Sequence, residues 1–575
     1  MRLKRFGITT VIGAIPMLTL CVFTPLTLYA GNSDELSVAF QNLVASYLPY
    51  VALITVILGL PGLFLDGDRL AKYRAILAAL AVLAWLQGNL FVWDYGEFDG
   101  RSISWLTGVW HGIFDAAVWI ALLTMAAKLK RLAKPLIFAA VATCSIQIVT
   151  AIGTAMTATD DLFQDRIVTI AAEDSQKVFD FSATKNVVHI VMDGFQTDIF
   201  QSVLDAEDGN GLTRELTGFT LFENNLGVYP YTELTIPALL AGKTYRNDEP
   251  VDQFVSSALE GPTILRAAVD AGYEVDIAAM TSLANAYARA HHTNVYGITL
   301  AGQSDSEKFA LVESAKLMDL ALFRTVPHFV KALVHRDDLW VFQAYVGSRD
   351  HRHLQYFSDL SFLSRMAQSM TATRSTPVYK MLHLFLVHRP TVGNAQCEFE
   401  GRRPTTRANV TAQATCAFTN VMAVLRRMKE VGIYDSSLIV LMADHGAWVP
   451  VIGFEAAGVD DSPINATTVA MATPVLAIKP PGARDDFAVS TVPTSISDLP
   501  ATLAGILNLP ADFPGMSIVA IGPDEQRVRS HLIYGYGRNA EAPEYLYPMT
   551  EFEVRGDPYD AGSWRQTGRH APPAD

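Results

Sequence analysis

Apolar and polar positions alternate on two different length scales along this chain. Up to about position 157 the apolar residues run in long stretches, near 7–29, 43–65, 73–93, 104–127 and 135–156. Each is about as long as a helix that crosses the hydrocarbon core of a bilayer. Short polar connections separate them, so the pattern predicts five membrane-spanning helices. Beyond that point the apolar runs shrink to strand length. Asn186–Met192, Phe219–Phe222, Glu274–Ala279, Lys380–Val387, Leu438–Met442 and Pro474–Ile478 read as strands. Helical patterns at Pro262–Ala271, Thr411–Val431 and Asp498–Leu507 lie between or after them. Continuous apolar strands separated by helices predict an α/β domain whose mostly parallel sheet is flanked by helices.

Loop charge orients the membrane part. Arg2, Lys4 and Arg5 precede the first run; Arg69, Lys72 and Arg74 fill the second connection; Lys128, Lys130, Arg131 and Lys134 fill the fourth. The intervening loops are acidic, with Asp34 and Glu35 in one and Asp94, Glu97 and Asp99 in the other. Basic loops stay cytoplasmic, so the N-terminus is expected inside and everything after the fifth helix outside. The first run has a second reading, a signal peptide cleaved after Leu28-Tyr29-Ala30, which leaves the later domain outside as well. Trp93, Tyr95 and Trp105 are expected at the outer interface. Trp110 and His111, polar-capable groups inside the fourth run, read as interfacial or interhelical hydrogen-bonding residues, or as part of a headgroup path.

Composition narrows the partners. Half of the 575 residues are hydrophobic and the net charge is -14, which argues against nucleic acid. Of four cysteines, Cys21 and Cys144 fall in apolar runs; Cys397 and Cys416 flank a polar stretch and are expected to form a disulfide in an oxidising compartment. The expected division is a transmembrane domain over 1–157, a polar linker over 158–184, a catalytic domain over 185–550 and a tail over 551–575.

Three strands end in chemistry-bearing residues. One runs into Asp193-Gly194, a second into His388-Arg389-Pro390, a third into Asp444-His445-Gly446. In open α/β sheets ligands bind beyond the carboxyl ends of the strands. Asp193, Asp444 and His445 are therefore expected to hold a metal. The segment Tyr231–Gly242 reads as a loop entering a helix, with Thr235 near its N-cap and Pro237 in its first turn. A hydroxyl there would lie beside free N–H groups suited to phosphate or sulfate. The metal would lower its pKa and make it a nucleophile.

In this order, Val-Met-Asp-Gly, Thr-Ile-Pro-Ala-Leu-Leu-Ala-Gly, His-Arg-Pro and Ala-Asp-His-Gly resemble the alkaline phosphatase/sulfatase superfamily over about 186–510. With five helices in front, the chain looks most like lipoteichoic acid synthases, phosphoglycerol transferases and phosphoethanolamine transferases. The resemblance implies Thr235 as covalent nucleophile and Asp193, Thr235, Asp444 and His445 as ligands of one divalent ion, Mn²⁺, Mg²⁺ or Zn²⁺. It implies His388, with Arg389, as a substrate-binding group, His388 also as proton donor. Sulfatases carry Cys or Ser in a C/S-x-P-x-R segment; the Thr here and the missing Arg argue against sulfate ester hydrolysis. His531 is a candidate late ligand, and His291, His292, His351 and His353 are candidate headgroup contacts.

The expected activity is transfer of a phosphoglycerol or phosphoethanolamine group from a membrane phospholipid to a glycan or glycolipid acceptor. It would run through a phosphothreonine, on the periplasmic side of the inner (cytoplasmic) membrane. Two alternatives stand beside it: a membrane-anchored phosphodiesterase, and a non-catalytic lipid-binding regulator.

Overall fold

The computed structural model describes residues 2–31, 38–93, 95, 103, 105, 108–157, 162, 174–206, 209–280, 283–284, 287, 294–298, 306–336, 340–347, 355–454, 464–522, 525–539 and 542–573. The chain forms two compact units. One comprises Met1–Ile167 with Gln303–His351, the other Val168–Gly302 with Arg352–Asp575.

The first unit contains five helices long and apolar enough to cross a membrane: α1 (Arg2–Gly31), α2 (Phe40–Phe64), α3 (Gly67–Asn89), α4 (Val109–Lys128) and α5 (Lys130–Met156). Small residues let them approach closely. Ala75, Ala78, Ala79 and Ala81 of α3 pack with Ile12 and Ile15 of α1, Ala126 of α4 and Ala140 of α5. The outward faces stay apolar, as at Ile120, Phe138 and Val149. That is the pattern of helices solvated by lipid rather than by water.

Gln303–His351 belongs to this unit, not to the single 185–550 domain expected from sequence. Its helices Ser306–Thr325 and His328–His335 pack on the membrane-type helices, and Val341–Gly347 packs on Ser306–Thr325. Leu317 packs with Tyr29 and Leu43, and Met318 with Cys21 and Val51. Polar ties fix the register. Glu313 accepts from Val38 N at 3.0 Å, Ser314 meets Ser46 at 2.8 Å, and Arg324 Nε donates to Gly88 O at 2.8 Å. Asp115, fully buried in α4, accepts from Gln87 Nε2 (2.9 Å), Trp93 Nε1 (3.1 Å) and His328 N (3.2 Å). The Tyr95 hydroxyl meets His328 Nδ1 at 2.9 Å, and Trp105 contacts the rings of His328 and His335. Of the three aromatics expected at the interface, Tyr95 and Trp105 thus contact this segment, and Trp93 reaches it through Asp115. His111 stacks on Trp93 at 4.2 Å, while Trp110 is exposed.

The second unit is built on an eight-stranded sheet: β1 (Asn186–Met192), β2 (Thr220–Phe222), β3 (Glu274–Ala279), β4 (Asn294–Gly297), β5 (Val378–Leu384), β6 (Leu438–Met442), β7 (Leu476–Lys479) and β8 (Ala488–Ser490). The spatial order is 8-2-7-6-1-5-3-4. The core strands β6, β1, β5, β3 and β4 are mutually parallel, and β7 runs against its neighbours. The α/β, mostly parallel architecture is therefore as the apolar runs predict. Both faces of β1 are covered. Val188, Ile190 and Met192 join one core with Phe418, Val421 and Leu425 of the helix Arg407–Val431; Val187 and Val191 join the other with Leu239, Leu240 and Leu503. Two edge strands, β4 and β8, are too short to stand out in the sequence.

A separate antiparallel sheet joins Val528–Ile533, Met549–Arg555 and Trp564–His570. About half of the expected C-terminal tail is thus paired strand. Cys397, in the turn of the hairpin Thr391–Gly393/Phe399–Arg403, is disulfide-bonded to Cys416 of the helix Arg407–Val431, with Cα atoms 5.2 Å apart. The bond ties the hairpin that follows His388 to the helix covering β1.

Candidate active site

Register brings the chemistry to one edge. Met442 of β6 pairs with Val191 of β1, and Met192 pairs with Leu384 of β5. Asp193, Asp444 and the end of β5 therefore emerge side by side at the carboxyl ends of three adjacent strands. Gly194 turns the chain away from β1 at φ +71°, and a Cβ there would approach His388 Cα at 3.2 Å. Gly446 is demanded more strictly, since a Cβ would lie 1.8 Å from Ala470 O.

A buried cluster results. His445 Nε2 lies 3.4 Å from Asp193 Oδ1 and 3.6 Å from Asp444 Oδ2. His383, on β5, points Nε2 at Asp193 Oδ2 (3.9 Å) and Asp444 Oδ2 (4.0 Å). Potential ligand atoms of Asp193, His388 and His445 lie within 4.8 Å of one another, as do those of Asp193, His383 and Asp444. Outer hydrogen bonds fix the rings. His445 Nδ1 faces Gly446 O at 2.9 Å, His388 Nδ1 faces Arg389 O at 2.6 Å, and His383 Nδ1 faces the Tyr287 hydroxyl at 3.0 Å. Donation from Nδ1 to a carbonyl leaves Nε2 of His445 and His388 as a lone pair.

The hydroxyl in the cluster belongs to Thr232. After Tyr231, extended at φ −139° and ψ 149°, the helix α6 (Thr232–Ala241) begins three residues earlier than sequence suggested. Thr232 Oγ1 donates to Asp444 Oδ2 at 2.6 Å and lies 3.5 Å from His445 Nε2. Thr235, one turn further on, is fully buried and donates to Tyr231 O at 2.9 Å, back along its own helix. The hydroxyl beside Asp444 and His445 is thus that of Thr232, and the Thr235 hydroxyl does not reach them. Leu234 and Ile236 stand where a C/S-x-P-x-R pattern anchored at Thr232 needs Pro and Arg.

Charge is finely divided between the carboxylates. Burial and the neighbouring Asp444 push the Asp193 carboxyl well above its ordinary range. Burial alone would raise Asp444 too, but His445, His383 and the Thr232 hydroxyl hold it at about 2. Burial, with His445 beside it, lowers His388 to about 3, so its imidazole is neutral. Burial lowers His383 as well. These residues fit a divalent cation, because Asp193 Oδ1 and His383 Nε2 are buried without hydrogen-bond partners and all the donors are carboxylate, hydroxyl or imidazole.

The Arg389 guanidinium packs on Trp448, 3.5 Å from the ring centroid, and Trp448 borders both His388 (5.1 Å) and His445 (5.3 Å). His531 lies outside both ligand groups and turns Nδ1 to Gly227 O at 2.7 Å. His291, His292, His351 and His353 lie outside the described residues. His383 and Thr232 were missed from sequence. The available signals were a lone imidazole in an otherwise apolar strand end and a second threonine one turn before Thr235.

Residues 185–509 match the family model described as Sulfatase. Among solved structures, the chain is similar to the phosphonate monoester hydrolase SpPMH from Silicibacter pomeroyi, at 14% identity and TM-score 0.38 over 66% of this chain and 88% of that one. It is similar to a protein in the alkaline phosphatase superfamily from Vibrio parahaemolyticus, at 13% identity and TM-score 0.38 over 68% and 83%. It is also similar to the C-terminal periplasmic domain of EcEptC from Escherichia coli in complex with Zn, at 12% identity and TM-score 0.35 over 63% and 92%. No curated protein sequence matches significantly.

Proposed function

Because the chain belongs to the sulfatase family, with residues 185–509 covered by the family model, we propose that it transfers a phosphoglycerol or phosphoethanolamine group from a membrane phospholipid to a glycan or glycolipid hydroxyl. The reaction would take place on the periplasmic side of the inner membrane. The observation that carries this reading is the Thr232 hydroxyl, 2.6 Å from Asp444 at the start of α6 and beside His445.

Asp193, Thr232, Asp444 and His445 would hold one divalent ion, Mn²⁺, Mg²⁺ or Zn²⁺, with His383 at its edge. When bound, it supplies positive charge for the phosphoryl oxygens and lowers the pKa of the threonine hydroxyl. Asp444 orients the Thr232 hydroxyl as hydrogen-bond acceptor. Thr232 Oγ attacks phosphorus, the bond from phosphorus to the diacylglycerol oxygen breaks, and the hydroxyl proton departs with the diacylglycerol. Free N–H groups of the first turn of α6 face the phosphoryl oxygens with the positive end of the helix dipole. In the second half-reaction the acceptor oxygen attacks the phosphothreonine, and Thr232 regains a proton.

His388 suits the second half. A neutral imidazole with its Nε2 lone pair toward the cluster can accept a hydrogen bond from the acceptor hydroxyl and orient it for attack, the acceptor proton passing to Thr232. That differs from the proton donor expected from sequence. Arg389, stacked on Trp448, places a cation beside His388 for the headgroup phosphate.

The test is intact-mass analysis of wild type, Thr232→Ala and Thr235→Val after incubation with Mn²⁺ and mixed phospholipids. A headgroup-phosphate increment on wild type and on Thr235→Val, absent from Thr232→Ala, supports the reading. An increment that survives Thr232→Ala removes Thr232 as nucleophile. An adduct that water discharges as fast as any acceptor favours the phosphodiesterase alternative. A regulator would tolerate Thr232→Ala and form no adduct.

A further inference from the structure

The first unit contains a partly open cavity of about 110 Å³, of mixed polar and apolar lining, that the proposed chemistry does not use. It lies among the C-terminal halves of α1, α3 and α5, lined by Thr24, Thr27, Asn89, Thr150, Thr154 and Arg324. Odd-numbered helices end on the face from which the chain leaves for the sulfatase-type domain, so the cavity sits toward that face of the bilayer. Its polarity is written into single helix faces. Gln147, Thr150 and Thr154 follow the three-to-four spacing of one side of α5, and Thr24 and Thr27 do so on α1.

A hydrogen bond within its own helix accounts for one of the threonines: Thr27 donates to Phe23 O at 3.0 Å. It does not explain Arg324. The Nε of this residue is used on Gly88 O, and no carboxylate among the described residues pairs with its terminal nitrogens. Arg324 is partly buried at this opening, and a guanidinium beside apolar helices is favoured by an anion that can share the site. A planar array of N–H donors matches phosphate oxygens. The rim decides the source of that phosphate. Ile146, which lines the cavity, is half-exposed, and Val149 and Ile152 continue its apolar outer face on α5. The cavity admits a headgroup, and acyl chains would lie along these residues.

We propose that this cavity binds the phosphoester headgroup of a membrane lipid, with Arg324 as the counter-ion and the α1 and α5 threonines as hydrogen-bonding partners. The site requires only that α1–α5 lie in a bilayer and is independent of the reaction proposed above. The full chain, treated with EDTA so that the metal cluster cannot take a phosphodiester, is mixed with phosphatidylglycerol and with diacylglycerol of the same acyl chains. Retention is read by native mass spectrometry. Wild type is expected to keep phosphatidylglycerol and not diacylglycerol. Arg324→Gln is expected to keep it at least about tenfold less well, and Arg324→Lys most of it. Equal retention of the two lipids by wild type overturns the proposal, whatever the folding of the variants. So does undiminished retention by a folded Arg324→Gln protein. Inorganic phosphate binding as tightly as the lipid would assign the cavity to the free ion and overturn the lipid assignment.

Discussion

Thr232 and Thr235 stand one helical turn apart, and only the earlier one reaches Asp444. Removing the Thr232 hydroxyl should therefore lower turnover by at least about a thousandfold, as loss of a nucleophile does. Thr235→Val should cost about 1 kcal/mol of stability, the worth of one internal hydrogen bond, and leave turnover within a few-fold. Steady-state kinetics beside thermal unfolding separates the two. His531 gives a pH prediction. Its imidazole is fully buried, and burial holds it at about 4 against an ordinary 6.5. Between roughly pH 6.5 and 4 the unfolded chain binds a proton that the folded chain refuses. Stability from this residue is complete above that window and falls as pH falls through it, on the order of 1.4 kcal/mol per pH unit. His531→Phe should flatten that part of the stability profile, measured by denaturant unfolding at several pH values.

Elements were legible in the sequence where one physical signal dominated. β1 and β6 were bounded as found because their residues are buried on both faces and leave an unbroken apolar run. The five long helices were legible because their outward faces are apolar as well as their packed ones, which leaves unbroken apolar runs of membrane-crossing length. What failed was the start of α6. Apolar content and a proline place a helix, but its first residue depends on Tyr231 taking an extended backbone, which neighbouring packing decides. That error put Thr235, rather than Thr232, at the start of the helix. His383 was hidden because a polar residue inside a buried strand looks like noise until Asp193 and Asp444 are seen on the neighbouring strands. Two substitutions test how the elements hold the site. Gly446→Ala would force the strand-end loop off Ala470 O, cost about 1–3 kcal/mol and weaken metal binding, read by thermal unfolding with and without added metal. Replacing Cys397 and Cys416 by Ser should cost about 2–4 kcal/mol, since the disulfide closes a loop of sequence separation 19.

The division of the whole chain was the part sequence reasoning had least access to. Gln303–His351 carries no membrane-length apolar run, yet it folds with the membrane-type helices through Asp115, Glu313 and Arg324. Asp115→Ala strands three donors inside the unit, those of Gln87, Trp93 and His328. Hydrogen exchange in His328–His335 should rise by an order of magnitude or more, consistent with the cost of buried unsatisfied groups; unchanged exchange would mean that the apolar contacts suffice. The same interleaving bears on how the enzyme domain is to be obtained free of lipid. The polypeptide passes between the two units after 167, again after 302 and again after 351. Truncation ahead of 168 would carry along a stretch whose Leu317, Met318 and Phe323 have lost their cover, and the product should precipitate. A soluble version calls for a second excision, with the stretch 303–351 replaced by a flexible linker.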